Sequence, residues 1–152
     1  MPPPTTRAAR PPTIKRVGGT WAIARLDADA PLPPWALECV AASADAAASA
    51  DARAFASVTR TGAELSIVAP ESRVPARMAS GARCERGFSL YSLAGPIPFE
   101  AIGVLRSTLA PLESAGISVF AISTFDTDHL LVRSTDAKRA EHALSAAGFR
   151  LE

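Results

Sequence analysis

The order of apolar runs and chain breakers from Gly87 to the C-terminus constrains the fold more than any other feature of this sequence. Phe88 to Leu93 reads as a strand, Gly95-Pro96 as a break, and Pro98 stands where it opens a helix reaching about Ala115. Ile102, Leu105, Leu109 and Leu112 give that helix an inward stripe, and Pro111 is expected to kink its last turn. Ile117 to Ile122 and Leu130 to Val132 are rich in β-branched and large apolar residues, and they flank a polar turn. Ser134, Thr135 and Asp136 are competent N-caps for a helix with Ala137, Ala140, Ala143, Leu144 and Ala147 on one side. Gly148 stops it, and Phe149 to Leu151 add an edge strand. Strand, helix, strand, strand, helix, strand is the split βαβ arrangement of the ferredoxin-like fold.

The first half carries the same signals in weaker form. Residues 1–12 are Pro-rich without a period and read as a disordered arm. Thr20 to Leu26 reads as a strand, and Pro31, Pro33 and Pro34 precede a short helix at Trp35 to Ala41. Ala42 to Ala54, almost wholly Ala, Ser and Asp, has no apolar stripe to anchor it. Phe55 to Arg60 and Glu64 to Ala69 form a hairpin about Thr61-Gly62-Ala63, and Pro70 and Pro75 bracket its exit. Ser57–Val68 overlays Ala121–Val132 at a constant offset that places Glu64 on Asp128 and Thr59 on Ser123. The expected architecture is therefore α+β: two ferredoxin-like units packed side by side, a degenerate one over 13–86 and a regular one over 87–152.

Composition narrows the function. Lys and Arg number 16 against 15 Asp and Glu, a net charge of +1, which argues against nucleic acid or an anionic membrane as the main partner. Hydrophobic residues at 48% and charged residues at 20% predict a folded chain. No apolar run approaches the roughly 20 residues that span a bilayer, and the N-terminus lacks a secretory apolar core, so a cytoplasmic protein is expected. Cys39 and Cys84 read as reduced and structural. His129 and His142 have no further ligands at metal spacing, no Ser/His/Asp trio assembles, and Gly18-Gly19 lacks the rest of a phosphate loop. Neither a metal nor a cofactor is expected. Trp21 and Trp35 read as core or interface residues.

The turn between the last two long apolar runs holds the candidate site. Ser123, Thr124, Asp126, Thr127 and Asp128 crowd around Phe125, a stiff tip with two carboxylates that suits a small cationic or zwitterionic molecule. An amino acid needs acceptors for its ammonium, donors for its carboxylate and a shape-selective wall. Asp126 or Asp128 supplies the first, backbone N–H groups the second and Phe125 the third. Both aspartates also fit ordinary turn chemistry, bonding the local backbone.

Three segments, AFASVTRTGAELSIVAPE at Ala54 to Glu71, AGPIPFEAIGVL at Ala94 to Leu105 and APLESAGISVFAISTFDTDHLLV at Ala110 to Val132, give the chain a resemblance to tandem ACT-domain proteins. It is similar to small bacterial proteins whose paired ACT modules resemble those of the animal cytosolic arginine sensor and the regulatory ends of aspartate kinases. The resemblance implies a non-catalytic, amino-acid-binding regulatory protein with ligand held between two ACT modules. By motif it assigns Thr124, Phe125 and Asp128 to the ligand side chain or amine. It assigns the loop Gly95, Pro96 to Phe99 to the lining, and Gly116, Ile117 and Ser118 to the backbone stretch meeting the ligand's α-groups. The chain departs from the family at Pro98, where an acidic residue is common. A homodimer is expected, because Ile117, Val119 and Ala121 point one way and Phe120 and Ile122 the other, and helices cover one face only. The alternatives are a small ferredoxin-like enzyme such as an acyl-phosphate hydrolase, which needs a fixed arginine in an anion-binding loop, and a structural interaction domain without ligand.

Overall fold

A computed structural model describes residues 12–42 and 55–152; the arm over 1–11 and the Ala-rich stretch over 43–54 fall outside the described residues. Seven strands and three helices follow in chain order: β1 (Thr13–Leu26), α1 (Pro34–Ala42), β2 (Ser57–Arg60), β3 (Leu65–Pro70), β4 (Arg83–Leu93), α2 (Val104–Ser114), β5 (Val119–Ser123), β6 (Asp128–Arg133), α3 (Ala137–Ala146) and β7 (Arg150–Leu151), with 3-10 turns at Glu71–Arg73 and Ser134–Asp136. They form one sheet in the order β2-β3-β1-β4-β6-β5, with β7 pairing β1. The mixed α/β architecture of ferredoxin-like units is as expected.

Two long strands, β1 and β4, run through both halves of this sheet. Their antiparallel ladder shifts register between Val17 and Trp21 and again between Trp21 and Ile23. The irregularity is served by Gly19 and Gly87, both at positive φ, which an L side chain rarely adopts. Polar Lys15 and Arg16 and the Gly18-Gly19 pair hid the first half of β1 from a reading of periodicity, yet tertiary pairing on both sides makes it a strand. At that end β1 lies between β4 and β7: Ile14 pairs with Leu93 on one side and, in parallel, with Leu151 on the other. The outer place expected for the final strand is thus taken by β1, and β7 lies one place farther out.

All three helices cover one face. Under α2 and α3 lie Ile14, Tyr91, Leu93, Leu130 and Val132 with Leu112, Ala140 and Leu144, and under α1 lie Ala24, Leu26, Leu65 and Ile67 with Ala36. Cys39 and Cys84 are free thiols packed against this layer, and burial pushes both up in pKa. The other face carries a second core of Trp21, Val68, Phe88, Leu90 and Leu131. Strands β3 and β5 stand four places apart, about 19 Å on a flat sheet. Their side chains nevertheless line one cleft, and the Phe55 ring before β2 lies 4.3 Å from His129 on β6. The sheet is therefore curled, and its two ends bury the helix-free face against each other. Apolar residues on both faces of β5 thus do not by themselves demand a second chain.

Two local readings are corrected. The helix opens at Val104 after Gly103 at φ 81, not at Pro98, whose carbonyl instead accepts the Ala101 N–H in a turn. Ile102 consequently precedes the helix and is 98% exposed rather than inward-facing. The two hairpins do echo each other, but one residue from the expected register: Arg60 pairs with Leu65 as Ser123 pairs with Asp128, so Asp128 corresponds to Leu65 and not to Glu64. A one-residue slip exchanges faces, and Asp128 lies on the helix-covered side with Leu130 and Val132.

Candidate functional site

The β5–β6 tip is built by short local bonds. Thr124 donates its N–H and its hydroxyl to the Thr127 carbonyl, at 2.8 and 3.0 Å. The Thr127 hydroxyl donates to the Leu93 carbonyl at 2.6 Å, and the Ile97 N–H donates to the Asp126 carbonyl at 2.7 Å. These last two bonds tie the tip to the loop after β4. That loop turns through a cis Gly95-Pro96 bond, and a Cβ placed on Gly95 would stand 2.7 Å from the Asp126 carbonyl oxygen. Glycine is needed here for close backbone approach.

Between this tip, the loop and the start of α2 lies a hollow of about 450 Å³. Its lining brings together Phe99, Thr124, Phe125, Asp126 and Asp128 of the residues singled out from sequence. Phe99 and Phe125 meet edge to face, with ring centroids 4.9 Å apart, and remain 74% and 79% exposed. Asp128 is half-buried and its Oδ1 accepts the Ser123 hydroxyl at 2.5 Å across the strand pair. The Asp126 carboxylate makes no hydrogen bond or ion pair among the described residues, and it is exposed. Gly95 and Pro96, expected in the lining, are not part of it; they turn the loop that carries Phe99. Arg106, in the first turn of α2, also lines it, although its local sequence does not mark it as facing the tip.

Gly116, Ile117 and Ser118 lie elsewhere. They line a second hollow, also of about 450 Å³, with Leu109, Glu113 and Val119. Ile117 is 5% exposed and its side chain belongs to the helix-side core. The two hollows sit at opposite ends of β5, whose five residues span about 13 Å. His129, next to the tip, bonds Ser92 through Nδ1 at 2.8 Å, and burial holds its pKa below 6.5 against the opposing pull of Asp128. Among the described residues, no three His, Cys, Asp or Glu side chains gather as metal ligands.

Comparison with known proteins gives this geometry a context. Residues 83–146 match the family model described as an ACT domain. The chain is 37% identical to protein Atu0741 of Agobacterium tumefaciens across 95% of its own length and 94% of the other, with a TM-score of 0.75. The protein contains an ACT domain. Two more distant structures share the fold of this ACT-domain protein. Aspartate kinase of Clostridium acetobutylicum is 8% identical at a TM-score of 0.59, over 89% of this chain and 33% of that one. The regulatory subunit of aspartate kinase from Thermus thermophilus, in its ligand-free form, is 13% identical at a TM-score of 0.53, over 85% and 93%. No helix among the described residues is long and apolar enough to cross a membrane.

Proposed function

We propose that this ACT-domain protein is a non-catalytic, cytoplasmic sensor that binds a free amino acid at the β5–β6 tip. The convergence of Phe99, Thr124, Phe125, Asp126 and Asp128 on one hollow carries this reading. Asp126 and Asp128 receive the ammonium, Arg106 supplies the opposing cation for a carboxylate, and the two phenyl rings wall the side chain. In this reading the unit over 87–152 holds the ligand, and the unit over 13–86, which has a 3-10 turn where a second helix would stand, serves as scaffold.

The protein acts as a homodimer in this proposal. The outer edge of β5 has no strand partner among the described residues. An antiparallel β5 to β5 ladder about Ala121 sets Thr124, Phe125 and Asp126 of one copy against Ser118, Ile117 and Gly116 of the other. That pairing brings the hollow lined by Gly116, Ile117 and Ser118 of one copy beside the hollow lined by Phe99, Thr124, Phe125, Asp126 and Asp128 of the other.

Thermal unfolding with each of the twenty amino acids at about millimolar concentration tests the reading, because a ligand bound only by the folded state raises Tm by mass action. One or a few side-chain classes are expected to stabilise the protein, and Asp128→Ala is expected to abolish that shift while leaving the unliganded Tm within a few degrees. A flat response across the panel refutes the proposal and leaves a structural interaction domain.

A further inference from the structure

The cleft formed where the sheet curls back on itself is separate from the tip hollow, and we propose that it is a second small-molecule site, shaped for a small neutral polyol or sugar. It holds about 260 Å³ between β2 and β3 on one wall and β5 on the other. At roughly 30 Å³ per water, that is room for a ligand of about nine non-hydrogen atoms.

The two walls differ in chemistry. In register across the β2–β3 ladder, Thr59 pairs with Ser66 and Ser57 with Val68, so three hydroxyls stand together on the concave face. None of the three makes a side-chain hydrogen bond with any described residue, and each therefore keeps a donor and an acceptor for a guest. Opposite them, β5 offers Phe120 and Ile122, and Phe120 stays 37% exposed although it points to the concave side. A row of hydroxyls facing a half-open phenyl ring matches a molecule with hydroxyls on one side and C–H groups on the other.

Charge argues against an anionic guest. Among the described lining residues the one ionised side chain is Glu64, and it is held by Arg25, whose Nε lies 3.1 Å from Glu64 Oε2, whose guanidinium donates to the Ala63 carbonyl at 3.0 Å and which also lies 4.0 Å from Asp27 Oδ1. Glu64 is thereby held in place as a further acceptor on this wall. Because the walls come from opposite ends of the sheet, an occupant bridges the two halves of the chain.

The test is a titration of the full chain by amide ¹H–¹⁵N spectra with erythritol, xylitol, ribose and glucose, and with glycine as a zwitterionic control. At least one polyol is expected to give saturable shifts at Ser57, Thr59, Ser66 and Ile122, with a dissociation constant in about the millimolar range, leaving Thr124 to Asp128 unmoved. Thr59→Val, which suits an edge strand, and Phe120→Ala are each expected to weaken that binding several-fold. Amino-acid binding at the tip is expected to be unaffected in Thr59→Val, so this proposal and the one above fail separately. Shifts absent or non-saturating up to about 50 mM, or saturable shifts unchanged in Thr59→Val, overturn the proposal.

Discussion

Replacing Gly95 by alanine probes how the tip is held. A Cβ there falls 2.7 Å from the Asp126 carbonyl oxygen, 3.3 Å from Thr127 Cβ and 3.4 Å from Asp126 C, and the first of these atoms is backbone. Relief requires the tip and the loop to part, which stretches the Ile97 to Asp126 bond of 2.7 Å and the Thr127 to Leu93 bond of 2.6 Å. Overpacking costs about 1–3 kcal/mol, and one weakened neutral hydrogen bond adds about 1 kcal/mol. A loss of about 2–4 kcal/mol corresponds to a Tm lower by roughly 4–16 °C for a chain of this size. Circular dichroism melts of wild type and Gly95→Ala measure it. The same displacement moves Asp126 and Phe125 relative to Phe99, so any amino-acid-dependent stabilisation is expected to shrink along with Tm. A variant melting within a degree of wild type refutes the close-packed loop and tip.

Three further outcomes follow from packing and charge. Ile14 is completely buried among residues of the C-terminal half, and Ile14→Ala is expected to cost about 2–5 kcal/mol in urea unfolding; a cost under about 1 kcal/mol contradicts the placement of β1. His129 has its pKa lowered, chiefly by burial, so the unfolded chain takes up its proton first. Stability is therefore full above about pH 6.5 and is lost as pH falls below it, and His129→Gln is expected to flatten the Tm profile between about pH 7 and 5.5; an unchanged profile contradicts the burial argument. Removing one ring of the exposed pair, Phe125→Ala, is expected to leave Tm within about 0.5 kcal/mol equivalent of wild type while weakening amino-acid binding in calorimetry, and equal affinity rules the ring out as a wall.

Much of the second half was legible in the sequence because its signals agree with one another. Gly148 does lie just past a helix end at φ 92, and Ala137, Ala140 and Leu144 are buried as their spacing requires. What escaped detection depends on partners remote in the chain. Lys15 and Arg16 look like a loop, but Arg16 reaches Glu141 on α3 at 3.1 Å, and Glu141 in turn accepts the buried Tyr91 hydroxyl at 2.8 Å. The start of α2 was misplaced because Pro98 is as suited to a turn as to a first helical position, and Gly103 decided between them. At the site, the tip was legible from its dense turn chemistry. Arg106 was not, since only the path of the loop over 95–103 brings it round to the aspartates.

The intercalation of β1 has a consequence for how such a protein is inherited. A strand from the extreme beginning of the chain completes the unit written at its end, so neither portion is an exchangeable cassette. Cutting the gene at its apparent midpoint and joining the rear portion to an unrelated protein leaves Leu93 and Leu151 without the neighbour they both depend on. A folded fusion has to carry β1 together with β4 and β7.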